Sequence, residues 1–309
     1  MSKSLNIFLM IMAFVSVVAA EQTPKDDTEK KVDSLFIIAS SGELKYRDMV
    51  QLAQDSLVAM GALAVPRLIG KIDTQVARES RAVSDILIKI GKAATPYLME
   101  LLPNNDPEIS GRACYALGKI KDSTAIDAIT KITHHGDWRI RSNAVAALGD
   151  IGHSRAGDAV VGALDDSSEN VRKSAVVAAA KLKIVGAAPK LTAMLGDDFY
   201  GARMCASEAL VEFGPEVIGI ISDSLASANE LLGNLGCSTL GTIGGDSAAV
   251  ILTQQLASNS PLRRALAVEG ILDCNSSVAC GAVELLHKTE KDPVVLFYIE
   301  KVLKKYASE

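Results

Sequence analysis

Residues 106–121 read DPEISGRACYALGKIK, and the spacing inside that stretch decides the fold. Ile109, Ala113, Ala116, Leu117 and Ile120 recur three and four residues apart, which places them on one face of a helix. Asp106 can cap its start and Pro107 suits the first helical position, where no backbone N–H is required. Lys121-Asp122-Ser123 breaks the pattern. A second helix follows, with Ala125, Ile126, Ile129 and Ile132 turned inward and Asp127 and Lys131 turned to water. His134-His135-Gly136 closes it, with Gly136 placed to take a left-handed conformation.

The same stretch recurs on both sides. SLVAMG (56–61), ILIKIG (86–91), ALGKIK (116–121), ALGDIG (147–152), AAAKLK (178–183), ALVEFG (209–214), TLGTIG (239–244) and GILDCN (270–275) align. Their apolar column, from Met60 through Ile90, Ile120, Ile151, Leu182, Phe213 and Ile243 to Cys274, advances by 30 or 31 residues each time. A second column holds only small residues: Ala113, Ala144, Ala175, Ala206, Gly236 and Ala267. Small side chains at one helical position let neighbouring helices approach to about 8–10 Å. Ser260-Pro261 and Asp292-Pro293 start further first helices in register, and Pro293 to Tyr306 reads as a lone closing helix. No stretch alternates as a strand would. The expected fold is all-α: an α/α solenoid of about eight helix pairs over residues 34–309, with a C-terminal capping helix.

Composition agrees with thin layers. Hydrophobic residues make up 49% of the chain and aromatics 4%, so burial rests on Ala, Leu, Ile and Val. Residues 1–20 read as a secretory signal: Lys3, an apolar run from Leu5 to Val18, and Val18-Ala19-Ala20 before Glu21. The run is too short to span a hydrocarbon layer of roughly 30 Å comfortably. Residues 21–33 (EQTPKDDTEKKVD) are nearly all polar and are expected to form a flexible charged linker. A net charge of −5 lacks the basic footprint that phosphate backbones require. The expected destination is periplasmic or extracellular, with no nucleic acid bound and no membrane span after signal cleavage.

In these columns the chain resembles the HEAT-like repeats, specifically the short class named for phycobiliprotein lyases. That unit runs as an acidic pair, Val-Arg, a small residue and Ala-Leu-Gly. Here stand Asp137-Trp138-Arg139-Ile140-Arg141 before Ala144 and Ala147-Leu148-Gly149, and Asn170-Val171-Arg172 before Ala175. The resemblance covers about residues 44–309. It implies a right-handed superhelix, first helices on the convex side and second helices on the concave side. Relatives include scaffolds, lyases that attach bilin, and a di-iron deoxyhypusine hydroxylase. The hydroxylase needs paired His-Glu ligands on several repeats, whereas His134, His135, His153 and His287 are never followed by Glu. Bilin attachment acts on intracellular antenna proteins, at odds with an exported chain.

Arg141, Arg172, Arg203 and Arg264 share one column near acidic residues such as Asp137, Asp166 and Asp198, with Ser110 and Gly233 as gaps. They are expected to form a structural arginine ladder; an anion-binding stripe is the functional alternative. Trp138, Phe199 and Tyr200 fall in first turns of first helices and are the partner-binding candidates, since Trp and Tyr are enriched at binding anchors. His134-His135 point in different directions on a helix and lack nearby ligands, so no metal is expected. Among five cysteines, Cys274 and Cys280 flank a short turn and could form a disulfide; Cys114, Cys205 and Cys237 read as buried apolar residues. No nucleophile elbow and no Walker loop occurs. Titratable or amide groups on second helices are sparse: Asp127, Lys131, Asp158, Lys190, Asp223, Gln254 and Gln255. The chain therefore reads as an exported, non-catalytic scaffold or adaptor without a cofactor, binding a protein or peptide. Alternatives are an accessory lyase or cofactor-insertion chaperone acting on an envelope protein, and a mechanical spacer.

Overall fold

A computed structural model describes residues 25–306, and among these every regular element is helical. The leader read at 1–20 and the first residues of the linker lie outside the described residues. The array expected over residues 34–309 divides into two units, Met1–Ile132 and Thr133–Glu309. The first contains α1 (Lys25–Ala39), α2 (Val50–Met60), α3 (Val65–Ile69), α4 (Ala77–Ile90), α5 (Thr95–Leu101), α6 (Pro107–Ile120) and α7 (Ile126–Ile132). The second contains α8 (Trp138–Ile151), α9 (Gly157–Ala163), α10 (Glu169–Lys181), α11 (Ala188–Ala193), α12 (Tyr200–Phe213) and α13 (Ile218–Ser224). It continues with α14 (Glu230–Ile243), α15 (Gly245–Gln255), α16 (Pro261–Asp273), α17 (Cys280–His287) and α18 (Pro293–Tyr306).

Each pair joins a long first helix to a shorter second one through a tight turn, and the turn has a fixed device. The residue after the aligned apolar column has positive φ every time: Gly61, Gly91, Lys121, Gly152, Lys183, Gly214, Gly244 and Asn275. A left-handed residue there lets the backbone N–H reach back into the last turn, as Lys121 N does to Leu117 O at 3.0 Å and Gly244 N to Leu240 O at 3.0 Å. Lys121, at φ 57 and ψ 36, occupies the ordinary left-handed well. Gly214, at φ 73 and ψ −148, lies where a Cβ is excluded, so glycine is required. Gly136 does not adopt positive φ. Its carbonyl is used instead, accepting from Arg141 Nη1 at 3.1 Å.

The flexible linker expected at 21–33 is corrected over its described part, because residues from Lys25 onward belong to α1. Val32, Phe36 and Ala39 recur at helical spacing and are 0%, 4% and 2% exposed, so the polar residues are the outer face of an amphipathic cap. Asp33 fastens it to the first pair through Arg67 Nη2 at 2.6 Å and Lys71 Nζ at 2.7 Å. At the other end, α18 buries Val295, Ile299 and Val302 completely while leaving Val294 and Phe297 exposed.

Within the second unit, successive first helices lie side by side: α8 on α10, α10 on α12, α14 on α16, and α16 on α18. The small-residue column explains the spacing, since Ala144, Ala175, Ala206 and Ala267 are all fully buried. Contacts are closest where glycine faces backbone: a Cβ on Gly241 would stand 2.5 Å from Gly270 Cα. The largest fully buried side chains are all Leu or Ile, as the aromatic-poor composition implies. Among the described residues no helix is long and apolar enough to cross a membrane.

Candidate binding surface and arginine ladder

The arginine column lies one turn into the first helices, which aims each guanidinium at the loop preceding its own helix. Nη1 takes two loop carbonyls every time. Arg141 bonds His135 O at 2.9 Å and Gly136 O at 3.1 Å, and Arg172 bonds Asp166 O at 3.0 Å and Ser167 O at 3.4 Å. Arg203 bonds Asp197 O at 2.6 Å and Asp198 O at 3.0 Å; Arg264 bonds Ser258 O at 2.8 Å and Asn259 O at 3.3 Å. The opposite edge reaches the next repeat. Arg141 Nε and Nη2 grip Asp166 at 2.8 and 2.7 Å, Arg172 grips Asp197 at 2.7 and 2.8 Å, and Arg264 grips Glu290 at 2.6 and 2.9 Å.

The carboxylates have a second duty. Asp166 and Asp197 accept the N–H of Ser168 and Phe199, two residues on, at 2.8 Å, so each rung also shapes the turn before the next first helix. Asp137 and Asp198 are not rungs: Asp137 pairs with Arg139, and Asp198 contributes only its carbonyl to Arg203. These pairs are well shielded, Arg172 and Asp197 retaining 19% and 10% side-chain exposure. Shielding weakens screening but adds a desolvation cost, so the large effect is expected when one partner is removed and the other charge is left unmatched.

Titration follows the geometry. Hydrogen bonds from Arg264 pull Glu290 down to about 2, with burial opposing them. Asp166 is lowered chiefly by Arg141. At Asp197 burial is the largest influence and pushes upward, but Arg172 and the Phe199 amide together bring it below the usual carboxylate range. A carboxylate lowered on folding stabilises the protein above its unfolded value and loses that contribution as pH falls toward the folded one. The melting temperature should therefore fall between about pH 4.5 and about pH 2, the window set by Glu290. Thermal melts of Arg264→Met should show a shallower acid limb; an identical limb would refute this account.

The aromatic candidates do not converge. Trp138 is 44% exposed and walls a groove of about 290 Å³ between α8 and α10. Ser142, Asn170, Lys173, Ser174, Val177 and Lys181 also line it. The Phe199 ring folds back over Gly201, beside the Lys173 stem. Tyr200 is 65% exposed, and its ring centre lies 5.5 Å from the Arg203 guanidinium. Lys173 thus borders both the Trp138 groove and the Phe199 ring. The groove-lining polar residues escaped the sequence reading. Ser142 Oγ and Ser174 Oγ meet at 2.8 Å, but 32 positions apart they carry only the generic signal of an outward polar stripe.

Cys274 and Cys280 are both free thiols, so the disulfide that their placement around a short turn would allow does not form. Cys274 is buried at the end of α16, whereas Cys280 is half-buried and opens α17 beyond an intervening turn. Burial pushes the thiols of Cys114 and Cys237 up to about 12, and that of Cys274 to about 11, so they stay protonated at neutral pH. His135 Nδ1 accepts the Asp137 N–H at 3.0 Å, a loop-shaping bond. Lys190 on α11 spends its ammonium on Asp165. Among the described residues no three His, Cys, Asp or Glu side chains gather as a metal site would require.

The repeat geometry has counterparts among known proteins. Residues 127–210 match the family of HEAT repeats. Importin beta shares the fold at a TM-score of 0.55 and 14% identity, over 99% of this chain and 52% of that one. Phycocyanin lyase from Nostoc aligns at 0.44 and 19% identity, over 47% of this chain and 97% of that one. Human deoxyhypusine hydroxylase aligns at 0.34 and 18% identity, over 91% and 98%. No curated protein matches the chain in sequence. Residues 127–210 thus carry HEAT repeats, and the helix pairs on either side continue the same all-α architecture, a fold shared with importin beta.

Proposed function

We propose that the chain is an exported, non-catalytic scaffold that holds a protein or peptide partner on the outer face of its first helices. One observation carries the reading: Trp138 stands 44% exposed at the wall of the α8–α10 groove. A large ring left in water costs hydrophobic free energy that a partner would recover, and Trp and Tyr dominate binding hot spots. Charge supports the same reading from the other side. The carboxylates of the ladder are committed to Arg141, Arg172 and Arg264, which fits a structural role better than general acid–base work. The groove is shallow and open, suited to a side chain or a short segment of polypeptide. Residues 1–20 supply the address, and the net charge of −5 argues against nucleic acid.

The test is affinity capture from the exported fraction of the native cell. The wild-type chain should retain a stoichiometric protein. The Trp138→Ala/Tyr200→Ala protein should bind it at least about tenfold more weakly, with a melting temperature within about 2 °C of wild type, because both side chains are exposed. Equal binding by the two proteins would overturn the surface assignment. Recovery of the chain inside the cell with its leader intact would overturn export, and a tightly held small molecule in place of a protein would favour the accessory-lyase or chaperone reading.

A further inference from the structure

The ladder has one unmatched rung. The residue six positions before each column member supplies the acceptor for the arginine of the preceding repeat: Asp166 before Arg172, Asp197 before Arg203. Six before Gly233 stands Ser227, so the residue facing Arg203 is a serine, too short to carry a carboxylate. At the following position both members change together: the column holds Gly233 and its acceptor place holds Ser258, so no arginine is left wanting. Arg203 alone keeps the arginine and lacks the acid.

Its guanidinium is nevertheless oriented like the others. Arg203 Nη1 holds the carbonyls of Asp197 and Asp198, the same two-carbonyl grip that fixes Arg141, Arg172 and Arg264. That grip turns the Nε and Nη2 edge toward the next repeat, and among the described residues no carboxylate reaches it. Arg203 is half-buried like the other ladder arginines, but neither its Nε nor its Nη2 is among the buried side-chain atoms left without a partner, so the edge keeps access to solvent. The structural link that the rung would have made comes from elsewhere: Asn229 Nδ2 bonds Gly196 O at 3.3 Å. Ser227 keeps only the turn-shaping half of the job, accepting the Asn229 N–H at 3.2 Å. Tyr200 stands beside this guanidinium, its ring centre 5.5 Å from the central carbon and the residue 65% exposed.

We propose that this edge of Arg203 binds an acidic side chain, Asp or Glu, of the partner protein, with the Tyr200 ring as an apolar wall beside it. Three rungs of the same molecule show the bond that would form: two parallel N–H···O contacts of 2.6 to 2.9 Å between guanidinium and carboxylate. Arginine favours this planar, bidentate partner over a single acceptor. Asp198, in the turn before α12, and Glu230, at the start of α14, disfavour a partner with several acidic residues together, so the site reads one carboxylate next to an apolar group. The inference rests on the scaffold reading and extends it to the partner's chemistry.

The test uses the full chain and two capped tetrapeptides that differ only in a Glu or a Gln next to a Leu. The Arg203 Nε–H resonance is assigned by its loss in Arg203→Lys. The Glu peptide should shift it saturably, and the Gln peptide at least about tenfold more weakly. Ser227→Asp should abolish the response by filling the rung internally, keep the turn-shaping bond, and raise the melting temperature by about 2–4 °C. The proposal falls if the Glu peptide gives no saturable shift, if the Gln peptide matches it, or if Ser227→Asp leaves both response and melting temperature unchanged. Acetate acting as strongly as the peptide would overturn the assignment to a protein side chain. A captured partner that binds Ser227→Asp as tightly as wild type would overturn this site alone, leaving the scaffold reading to stand on the Trp138/Tyr200 result.

Discussion

Gly241→Val should destabilise the C-terminal repeats by about 3 kcal/mol or more, because the added Cβ has no side chain to push aside. Placed on the native backbone, that atom would lie 2.5 Å from Gly270 Cα, 3.1 Å from its carbonyl oxygen and 3.2 Å from its carbonyl carbon. Only movement of α14 away from α16 relieves the overlap. Any such shift opens the contacts of Leu240, Val268 and Ile271, all fully buried, and dispersion falls steeply with distance. In a repeat array each interface is a separate stability element, so the damage should be local. Hydrogen exchange should show α16 to α18 losing protection while α8 to α12 keep theirs. Gly162→Ala is the control: nothing lies within 4 Å of its Cβ position, and alanine favours the helix. Uniform loss of protection along the second unit, or no loss, would contradict the argument.

Arg172→Ala should cost about 2–4 kcal/mol, less than a fully buried pair because both partners keep some exposure. It removes the two bonds to Asp197 at 2.7 and 2.8 Å together with the anchors on Asp166 O and Ser167 O. Asp197 is then left shielded from water with its charge unmatched, so most of the cost is the stranded carboxylate and not the lost attraction. Asp197→Asn in the Arg172→Ala background should therefore recover part of the stability. A double-mutant cycle by denaturant unfolding measures this, and strict additivity of the two substitutions would refute the coupling. The same substitution at Arg203 should cost less, since it strands no carboxylate.

Much of the fold is written in spacing. The apolar column from Met60 to Cys274 announces the pairs, and the positive-φ residue after each member is the physical reason the column ends where it does. The small column from Ala113 to Ala267 announces close helix contact. The stretch 25–33 reads as linker for an equally physical reason. Lys30 and Lys31 hide the helical period of Val32, Phe36 and Ala39, which becomes visible only when α2 supplies the surface those residues cover. For the candidate site, the identity of the arginine column was legible, but of its acceptors only Asp166 was named, beside Asp137 and Asp198, which are not rungs. Asp166 and Asp197 serve while Asp137 and Asp198 do not, because the loop's turn decides which carboxylate reaches across.

The sequence by itself determined that this protein is built of helix pairs repeating every 30 or 31 residues, because a period is a property of order along the chain. Only the tertiary structure decided which charges meet, that Cys274 and Cys280 stay apart, and that Arg203 keeps an edge open beside Tyr200. Those outcomes depend on where each loop delivers a side chain to a neighbouring repeat, and directions in space are settled by packing, not by spacing.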